Sequence, residues 1–145
     1  MMVSREESLL EAWVSLSSIL KNNRITKGLM YNESIVMLLA YRKYQKSESK
    51  KISIKEIIHI TNMQKSLANR TVNALIDKNL LERCEGEKDK RVQYVRCVKE
   101  NLETFLMVHQ ESLEIVRDIV SIIGEEDTDR FISMVGKLRN SGYKI

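Results

Sequence analysis

The sequence contains no proline and only five glycines among its 145 residues. Because proline breaks helices and glycine weakens them, this scarcity favours long, uninterrupted helices. Two cysteines are too few for the disulfide framework of a small secreted protein. The longest apolar run, residues 35–41, is much shorter than a membrane-spanning helix, and residues 1–8 lack the apolar core of a signal peptide. We therefore expect a cytoplasmic protein with no membrane partner.

The groupings that catalysis or metal binding would require are also missing. There is no glycine-rich phosphate loop and no Ser-His-Asp motif. His59 and His109 are far apart in the sequence, with no cysteine or carboxylate cluster at ligand spacing. We expect no enzymatic activity, no cofactor and no metal site, and we interpret His109, on an apolar stripe, as a core residue.

Positive charge is concentrated in the middle of the chain. Residues 42–99 contain 15 Lys or Arg and 7 Asp or Glu, whereas the remaining residues contain 9 and 13. The middle is therefore basic and the two ends together are acidic, although the net charge of the whole chain is only +4. This asymmetry favours a polyanionic partner, and an ordinary basic solvated face is the alternative.

Four helices are predicted outside this basic segment. Ser4 and Glu7 match an S-x-x-E capping box, so a first helix should begin near residue 5 and end near residues 21–23. Asn32 is expected to cap a second helix that runs to about residue 45. A long helix should span residues 100–123, and Gly124 should separate it from a last helix.

The apolar stripes on these helices exceed what one subunit of this size can bury. We therefore predict a helical dimerisation region formed by residues 1–45 and 99–145. Its expected interface residues are Leu9, Trp13, Leu16, Leu113, Val116, Val120, Phe131, Met134 and Leu138.

Residues 46–98 show the element order of a winged helix-turn-helix. Residues 46–50 form a polar connector, and residues 51–52 could add one short strand. Ser53 and Glu56 form a second capping box that opens a helix ending near residue 60. A turn at residues 61–63 leads to a helix over 64–78, and strands at 80–84 and 92–98 flank a charged loop. The predicted fold is mainly α with a small β-hairpin wing, an α+β architecture in which helix 64–78 enters the DNA major groove.

The helix over residues 64–78 has two different faces. Its packing face should consist of Leu67, Ala68, Thr71, Val72, Leu75 and Ile76. The opposite face carries Lys65, Ser66, Asn69, Arg70 and Asn73. Arginine pairs with guanine and asparagine with adenine, so this face has the chemistry for reading base edges. An ordinary polar helix surface is the alternative interpretation.

The loop over residues 85–91 is predicted to be the tip of the wing. Lys88, Lys90 and Arg91 could contact phosphate or enter the minor groove, and Asp89 could orient Arg91. A simple solvated turn is the alternative. Cys84 and Cys97 flank this loop, but a loop centred near residue 88 would place Val92 opposite Cys84, which disfavours a redox pair.

Residues 66–98 resemble the MarR/SlyA family of bacterial transcription regulators, including its Sar-type branch. The family shows a Leu-x-x-x-Gly-Leu-(Val/Ile)-x-Arg passage after the recognition helix, and residues 75–83 read LIDKNLLER. The Asp-x-Arg of the family's wing appears as Asp89-Lys90-Arg91. Asn79 stands where the family usually has a glycine. Asparagine tolerates the left-handed backbone conformation, so the backbone can accept this replacement. The Leu-Thr-x-x-Gly that often follows the wing appears as VKENL at residues 98–102.

The resemblance implies a homodimer that binds double-stranded DNA at a pseudo-palindrome, with recognition helices in successive major grooves and often with a small-molecule effector. It implies base-edge reading by Ser66, Asn69 and Arg70, with Gln64, Lys65 and Asn73 as neighbours. It also implies wing contacts by Lys90 and Arg91, and we expect phosphate contacts by Ser53 and Lys55.

The function expected from these observations is sequence-specific regulation of transcription, chiefly repression. Two other functions are consistent with the same pattern. One is an architectural protein that binds DNA mainly through charge. The other is a helical dimer that uses a degenerate winged helix to bind a protein.

Overall fold

The computed structural model describes residues 2–26, 28–85 and 91–143. Six helices and three strands follow one another along these residues. They are α1 (Arg5–Asn22), α2 (Tyr31–Lys46), β1 (Ile52–Ser53), α3 (Ile54–Thr61), α4 (Lys65–Asp77), β2 (Leu81–Glu85), β3 (Gln93–Cys97), α5 (Lys99–Ile123) and α6 (Glu125–Asn140). The predicted fold class, mainly helical with a small β-sheet wing, is confirmed.

The three strands form an antiparallel sheet with β3 in the centre. In β2 and β3 the pairing runs from Leu81 opposite Cys97 to Glu85 opposite Gln93. Cys84 pairs with Tyr94, so the predicted pairing of Cys84 with Val92 is wrong. The hairpin is centred at position 89 and not at 88, which shifts the partner of Cys84 by two residues and leaves the two cysteines unpaired across the strands.

The hydrophobic core lies between α2, α3, α4 and the sheet. Val36, Ile57, Val72, Leu75 and Val95 come from four different elements, and each is completely buried. Although α2 belongs by sequence to the helical end of the chain, it packs on α4 and β3 and supplies three buried residues to this core. The core therefore holds α4 against the sheet on one side and against α2 on the other.

Short polar signals set several of the element boundaries. The hydroxyl oxygens of Ser4 and Ser53 accept hydrogen bonds from the backbone N–H groups of Glu7 (3.1 Å) and Glu56 (2.9 Å), as both capping boxes predict. The predicted N-cap at Asn32 is wrong, because α2 is capped at Met30. There the Glu33 carboxylate accepts from the Met30 N–H at 2.8 Å, so the helix begins one residue before Asn32.

Glu33 also connects the start of α2 to the end of α4. Its carboxylate accepts a hydrogen bond from the Lys78 ammonium at 2.7 Å, and its side chain is only 5% exposed. Burial alone would raise the pKa of Glu33, but the hydrogen bonds from Lys78 and from the Met30 N–H outweigh burial, so this pKa lies below its usual value. The ionised carboxylate is therefore a stabilising part of the folded state.

We predict that Glu33→Gln lowers the free energy of unfolding at pH 7 by about 1–3 kcal/mol, because Lys78 loses its charged partner and a buried acceptor is weakened. Since the folded-state pKa of Glu33 is depressed, its contribution is complete above the unfolded pKa of about 4.3 and is lost as the pH falls through the folded value. The variant should therefore lose less stability than the wild type over that acidic range. Urea denaturation at several pH values measures both effects.

Glu126→Gln is the matched control. Glu126 pairs with Arg130 at 2.7 Å on the surface of α6, with both side chains well exposed. Exposed pairs contribute little, so this change should alter stability by less than about 0.5 kcal/mol. Equal effects of the two substitutions would contradict a special role for Glu33.

Candidate nucleic-acid interface

The two predicted faces of α4 are both present in the structure. Ala68, Thr71, Val72 and Leu75 are buried, and Leu67 and Ile76 are partly buried against the core. On the other side Gln64, Lys65, Ser66, Arg70 and Asn73 are exposed, and Asn69 is half-buried. Gln64 is the N-cap and not the first helical residue. Burial of one face thus leaves a continuous polar face directed away from the core.

Most side chains of this polar face have no side-chain partner within the described residues. Lys65, Ser66 and Arg70 make no hydrogen bond or ion pair to any other side chain there. Their donors are therefore available to a ligand without breaking an existing contact.

The turn before α4 is held from inside the protein. The Thr61 hydroxyl donates to the Ile57 carbonyl at 2.7 Å and accepts from the Met63 N–H at 3.2 Å. Asn62 has φ 61°, the left-handed conformation expected for an asparagine in this turn. Met63 is completely buried, which the sequence analysis did not foresee. The sequence offered one signal of this burial, which is that Met63 is an apolar residue between two polar residues of the turn.

Ser53 and Lys55, the expected phosphate contacts, lie at the start of α3. The Ser53 oxygen is used as the N-cap acceptor, so its hydroxyl can still donate. Lys55 is exposed. Glu56, the next residue, is paired with Lys43 of α2 at 3.0 Å, which neutralises the nearest carboxylate of the same helix turn.

The tip of the wing is described only in part. Lys88 and Lys90, together with Asp89, fall outside the described residues, and so does the predicted contact between Asp89 and Arg91. Arg91 is exposed at the beginning of the returning segment. On the other side of the loop the Lys51 ammonium donates to the Glu85 carbonyl at 2.8 Å, which ties the segment before β1 to the end of β2.

A side-chain cluster that was not predicted joins α4 to the hairpin. Arg83 of β2 donates to the side-chain oxygens of Asn73 in α4 and of Gln93 in β3, the latter at 3.3 Å. Strand alternation could have indicated it, because Leu81 and Arg83 are two residues apart and so share the sheet face on which α4 packs. On the opposite face Arg96 is paired with Glu82 at 2.8 Å.

Both cysteine thiols are held in the protonated form by their surroundings. Burial raises the pKa of Cys97 to about 11. Burial also raises the pKa of Cys84, and the nearby Arg96 and Lys51 only partly oppose this. A thiolate is the reactive form of cysteine, so these shifts disfavour redox reactivity near neutral pH.

The two histidines lie in different environments. His109 is half-buried and stacks on Phe105, with ring centroids 5.7 Å apart, which fits its predicted packing role. His59 is exposed on α3. In residues 2–26, 28–85 and 91–143, no three His, Cys, Asp or Glu side chains are grouped as a metal site would require. The described helices likewise include none with the length and apolarity needed to cross a membrane.

The helices at the two ends of the chain expose large apolar side chains. Neither α1 nor α6, all of whose residues are described, has a buried residue. Of the predicted interface residues, Leu9, Trp13, Val116, Phe131, Met134 and Leu138 are between 38% and 54% exposed. Leu16, Leu113 and Val120 are partly buried. The structure thus places these residues on helices but leaves most of them uncovered in a single chain.

Several cavities border α2, and two of them also border α5 or α6. One, of about 410 Å³, lies between α2, the end of α3 and α6, and its wall includes Leu38, Arg42, Val135 and Arg139. Another, of about 220 Å³, lies between α2 and α5 and includes Phe105 and His109. The 410 Å³ cavity thus lies between α6 and the end of α3, the first helix of the helix-turn-helix.

Residues 37–92 match the model of the MarR family. This segment contains the helix-turn-helix and most of the wing. No curated protein is detectably similar to the sequence.

Solved structures extend the likeness to nearly the whole chain. AbsC, a MarR family transcriptional regulator from Streptomyces coelicolor, is 19% identical with a TM-score of 0.73, and the match covers 97% of each chain. Bordetella bronchiseptica BpsR, whose DNA binding is regulated by 6-hydroxynicotinic acid, is 12% identical with a TM-score of 0.70 over 93% of this chain and 92% of BpsR. NadR in complex with 4-hydroxyphenylacetate is 15% identical with a TM-score of 0.66 over 95% of this chain and 94% of NadR. These similarities establish the fold.

Proposed function

We propose that this chain, a MarR-family winged helix-turn-helix protein by its matched segment and its fold, is a sequence-specific DNA-binding regulator of transcription. It would act as a homodimer, chiefly as a repressor that occludes a promoter, in the cytoplasm of a bacterium. The observation that carries this proposal is the exposed polar face of α4, with Lys65, Ser66 and Arg70 unengaged on a helix whose other face is locked into the core.

The chemistry of this face fits base-edge reading. Base contacts in the major groove come from side chains on the N-terminal part of a recognition helix, and Ser66, Asn69 and Arg70 lie in the first half of α4. An arginine can donate two hydrogen bonds to guanine, and serine adapts to several bases. Lys55 at the start of α3 and the basic wing, including Arg91, would supply backbone contacts that set the position of α4 in the groove.

The exposed apolar faces of α1 and α6 support a dimer. Trp13 and Phe131 are nearly half exposed, and large aromatic side chains are typical anchors of protein interfaces. Leaving such stripes in water is unfavourable, and a second copy of the same chain would bury them symmetrically. A two-fold dimer also presents two α4 helices, which suits an inverted repeat in DNA.

The cavity of about 410 Å³ between α2 and α6 supports binding of a small organic carboxylate as effector. Its wall is mainly apolar, and Arg42 and Arg139 make no ion pair within the described part of the chain. A guanidinium binds a carboxylate with two parallel hydrogen bonds, and an apolar wall suits an aromatic ring. BpsR and NadR are associated with aromatic acids. The Asn62 amide donates to the Tyr143 carbonyl at 2.9 Å beside this cavity, so a ligand there would lie next to the turn that leads into α4.

An architectural DNA-binding protein is the second candidate, and the basic middle segment favours it. Selection of bound sequences from a random duplex pool at near-physiological salt separates the two. A recovered inverted repeat supports the regulator. Binding without any recovered motif, lost steeply as salt is added, supports the architectural protein.

Arg70→Ala should weaken binding to the selected operator by about 1–3 kcal/mol and relax the base preference at one position of each half-site. Arg117→Ala, which removes an exposed arginine from α5, is the control. Competition titrations against random DNA provide the measurement. An unchanged preference of the Arg70 variant for operator over random DNA would exclude Arg70 from the readout.

Trp13→Glu should raise the dimer dissociation constant by at least about thirtyfold, because loss of a central aromatic anchor costs roughly 2 kcal/mol or more. Sedimentation equilibrium measures the constant directly. Ser18→Glu introduces the same charge on the opposite side of α1, where little effect is expected. If both variants remain dimeric at the wild-type concentration range, the α1 stripe is not at the interface.

4-Hydroxyphenylacetate should raise the melting temperature of the wild type, whereas the uncharged 4-hydroxyphenylacetamide should not, because Arg42 pairs with the carboxylate. Arg42→Met should abolish the shift, and Lys46→Met, one turn further along α2 and outside the cavity, should retain it. Equal shifts from acid and amide, or an undiminished shift in the Arg42 variant, would argue against a carboxylate site in this cavity.

A further inference from the structure

The Asn73–Arg83–Gln93 cluster has a fixed pattern of donors and acceptors. One terminal nitrogen of the Arg83 guanidinium donates to the Asn73 side-chain oxygen, and the other donates to the Gln93 side-chain oxygen at 3.3 Å. Each of these amide oxygens is therefore turned toward Arg83. An amide has its oxygen and its NH₂ group on opposite sides of the same carbon, so both NH₂ groups are turned away from Arg83.

The groups turned away from Arg83, toward a ligand, are hydrogen-bond donors. The Asn73 and Gln93 NH₂ groups have no other partner within the described residues, and Arg83 retains N–H groups beyond the two it uses. All three side chains are exposed. Arg83 has no carboxylate partner in the part of the chain that the structure describes. The cluster therefore carries one positive charge, and both of its amide oxygens already accept a hydrogen bond from Arg83.

Its position lies between the recognition helix and the wing. Asn73 belongs to the second half of α4, while Arg83 and Gln93 belong to the paired strands β2 and β3. Glu85 is directly opposite Gln93 in the strand register and is the acidic residue on the same sheet face as Arg83. It forms no ion pair with Arg83 among the described contacts, so it reduces the positive potential there without occupying the donors.

We propose that Asn73, Arg83 and Gln93 form a binding site for one backbone phosphate of DNA, at the junction of helix and wing. The site rests on the proposed DNA-binding function and deepens it. Phosphate oxygens are acceptors only and carry negative charge, which complements a cationic cluster whose outward groups are NH₂ and guanidinium donors. This changes the role predicted for Asn73. A bidentate contact to adenine would turn the Asn oxygen toward the base, whereas this oxygen is turned toward Arg83 and accepts from it.

A phosphate contact and a base contact respond differently to salt and to sequence. Loss of a phosphate contact weakens binding to every sequence by a similar factor and lowers the salt dependence, whereas loss of a base contact mainly lowers the preference for operator. Each neutralised phosphate contributes about 0.9 to the slope of log affinity against log salt. A dimer has two such sites, so loss of both lowers the slope by about 1.8 and affinity at 0.1 M salt by up to about sixtyfold.

The experiment compares Arg83→Met with Arg96→Met in the full-length protein. Both remove one arginine charge from the same hairpin, but Arg96 lies on the other face of the sheet and is paired with Glu82. Affinities for the selected operator and for a random duplex are measured over a range of salt concentrations. We expect Arg83→Met to weaken both by the same factor with a shallower slope, and Arg96→Met to leave the slope nearly unchanged.

Asn73→Asp provides a second test that leaves Arg83 in place. The new carboxylate would pair with Arg83, neutralise the site and remove the NH₂ donor, so uniform weakening with a shallower slope is again expected. Asn73→Ala, at an exposed helix position that favours alanine, should weaken both duplexes several-fold while largely preserving the slope.

Three results would overturn the site. Unchanged affinity in Arg83→Met and Asn73→Asp would exclude this contact while leaving the proposed regulator intact. A loss confined to operator DNA would identify the cluster as a base reader, most directly of a guanine edge. A wild-type protein that binds neither duplex even at low salt would overturn both the site and the proposed function.

Discussion

The packing of α4 between α2 and the sheet is the constraint on which the rest of the structure depends. Val72 and Leu75 are completely buried, so rotating α4 about its axis would expose apolar surface and bury Arg70 or Lys65 without partners. The ion pair between the buried Glu33 and the exposed Lys78 connects the end of the same helix to α2. Because one face of α4 is locked in this way, the orientation of the polar face is a property of the core.

Two asparagines in the left-handed backbone conformation form the turns before and after α4 that this packing requires. Asn62 (φ 61°) turns the backbone from α3 into α4, and Asn79 (φ 60°) turns it from α4 into β2. Asparagine adopts this conformation at lower cost than most residues, which explains why Asn79 can replace the glycine usual in the resembled family. The second turn brings Arg83 under α4, and so the helix and the wing share one polar cluster.

The terminal helices α1 and α6 are not constrained by burial in the way that α4 is. The core is complete with contributions from α2 and from Phe105 of α5, so α1 and α6 are left with apolar faces that a single chain does not cover. A dimer formed through these faces would hold two copies of α4 in a fixed relation. The cavity between α2 and α6 lies where α6 meets α2 and the end of α3.

Local patterns in the sequence determined the element order, the two serine caps, the left-handed asparagines and the two faces of α4, because each depends on neighbours a few residues away. Local patterns did not determine the start of α2, the pairing of Cys84, the burial of Met63 or the cluster around Arg83. Glu33 caps Met30 while it is also paired with Lys78, 45 residues further along, and Asn73 meets Arg83 only after β2 has folded back under α4. Sequence periodicity thus specified which faces are polar, whereas tertiary packing decided which donors on those faces are engaged within the protein.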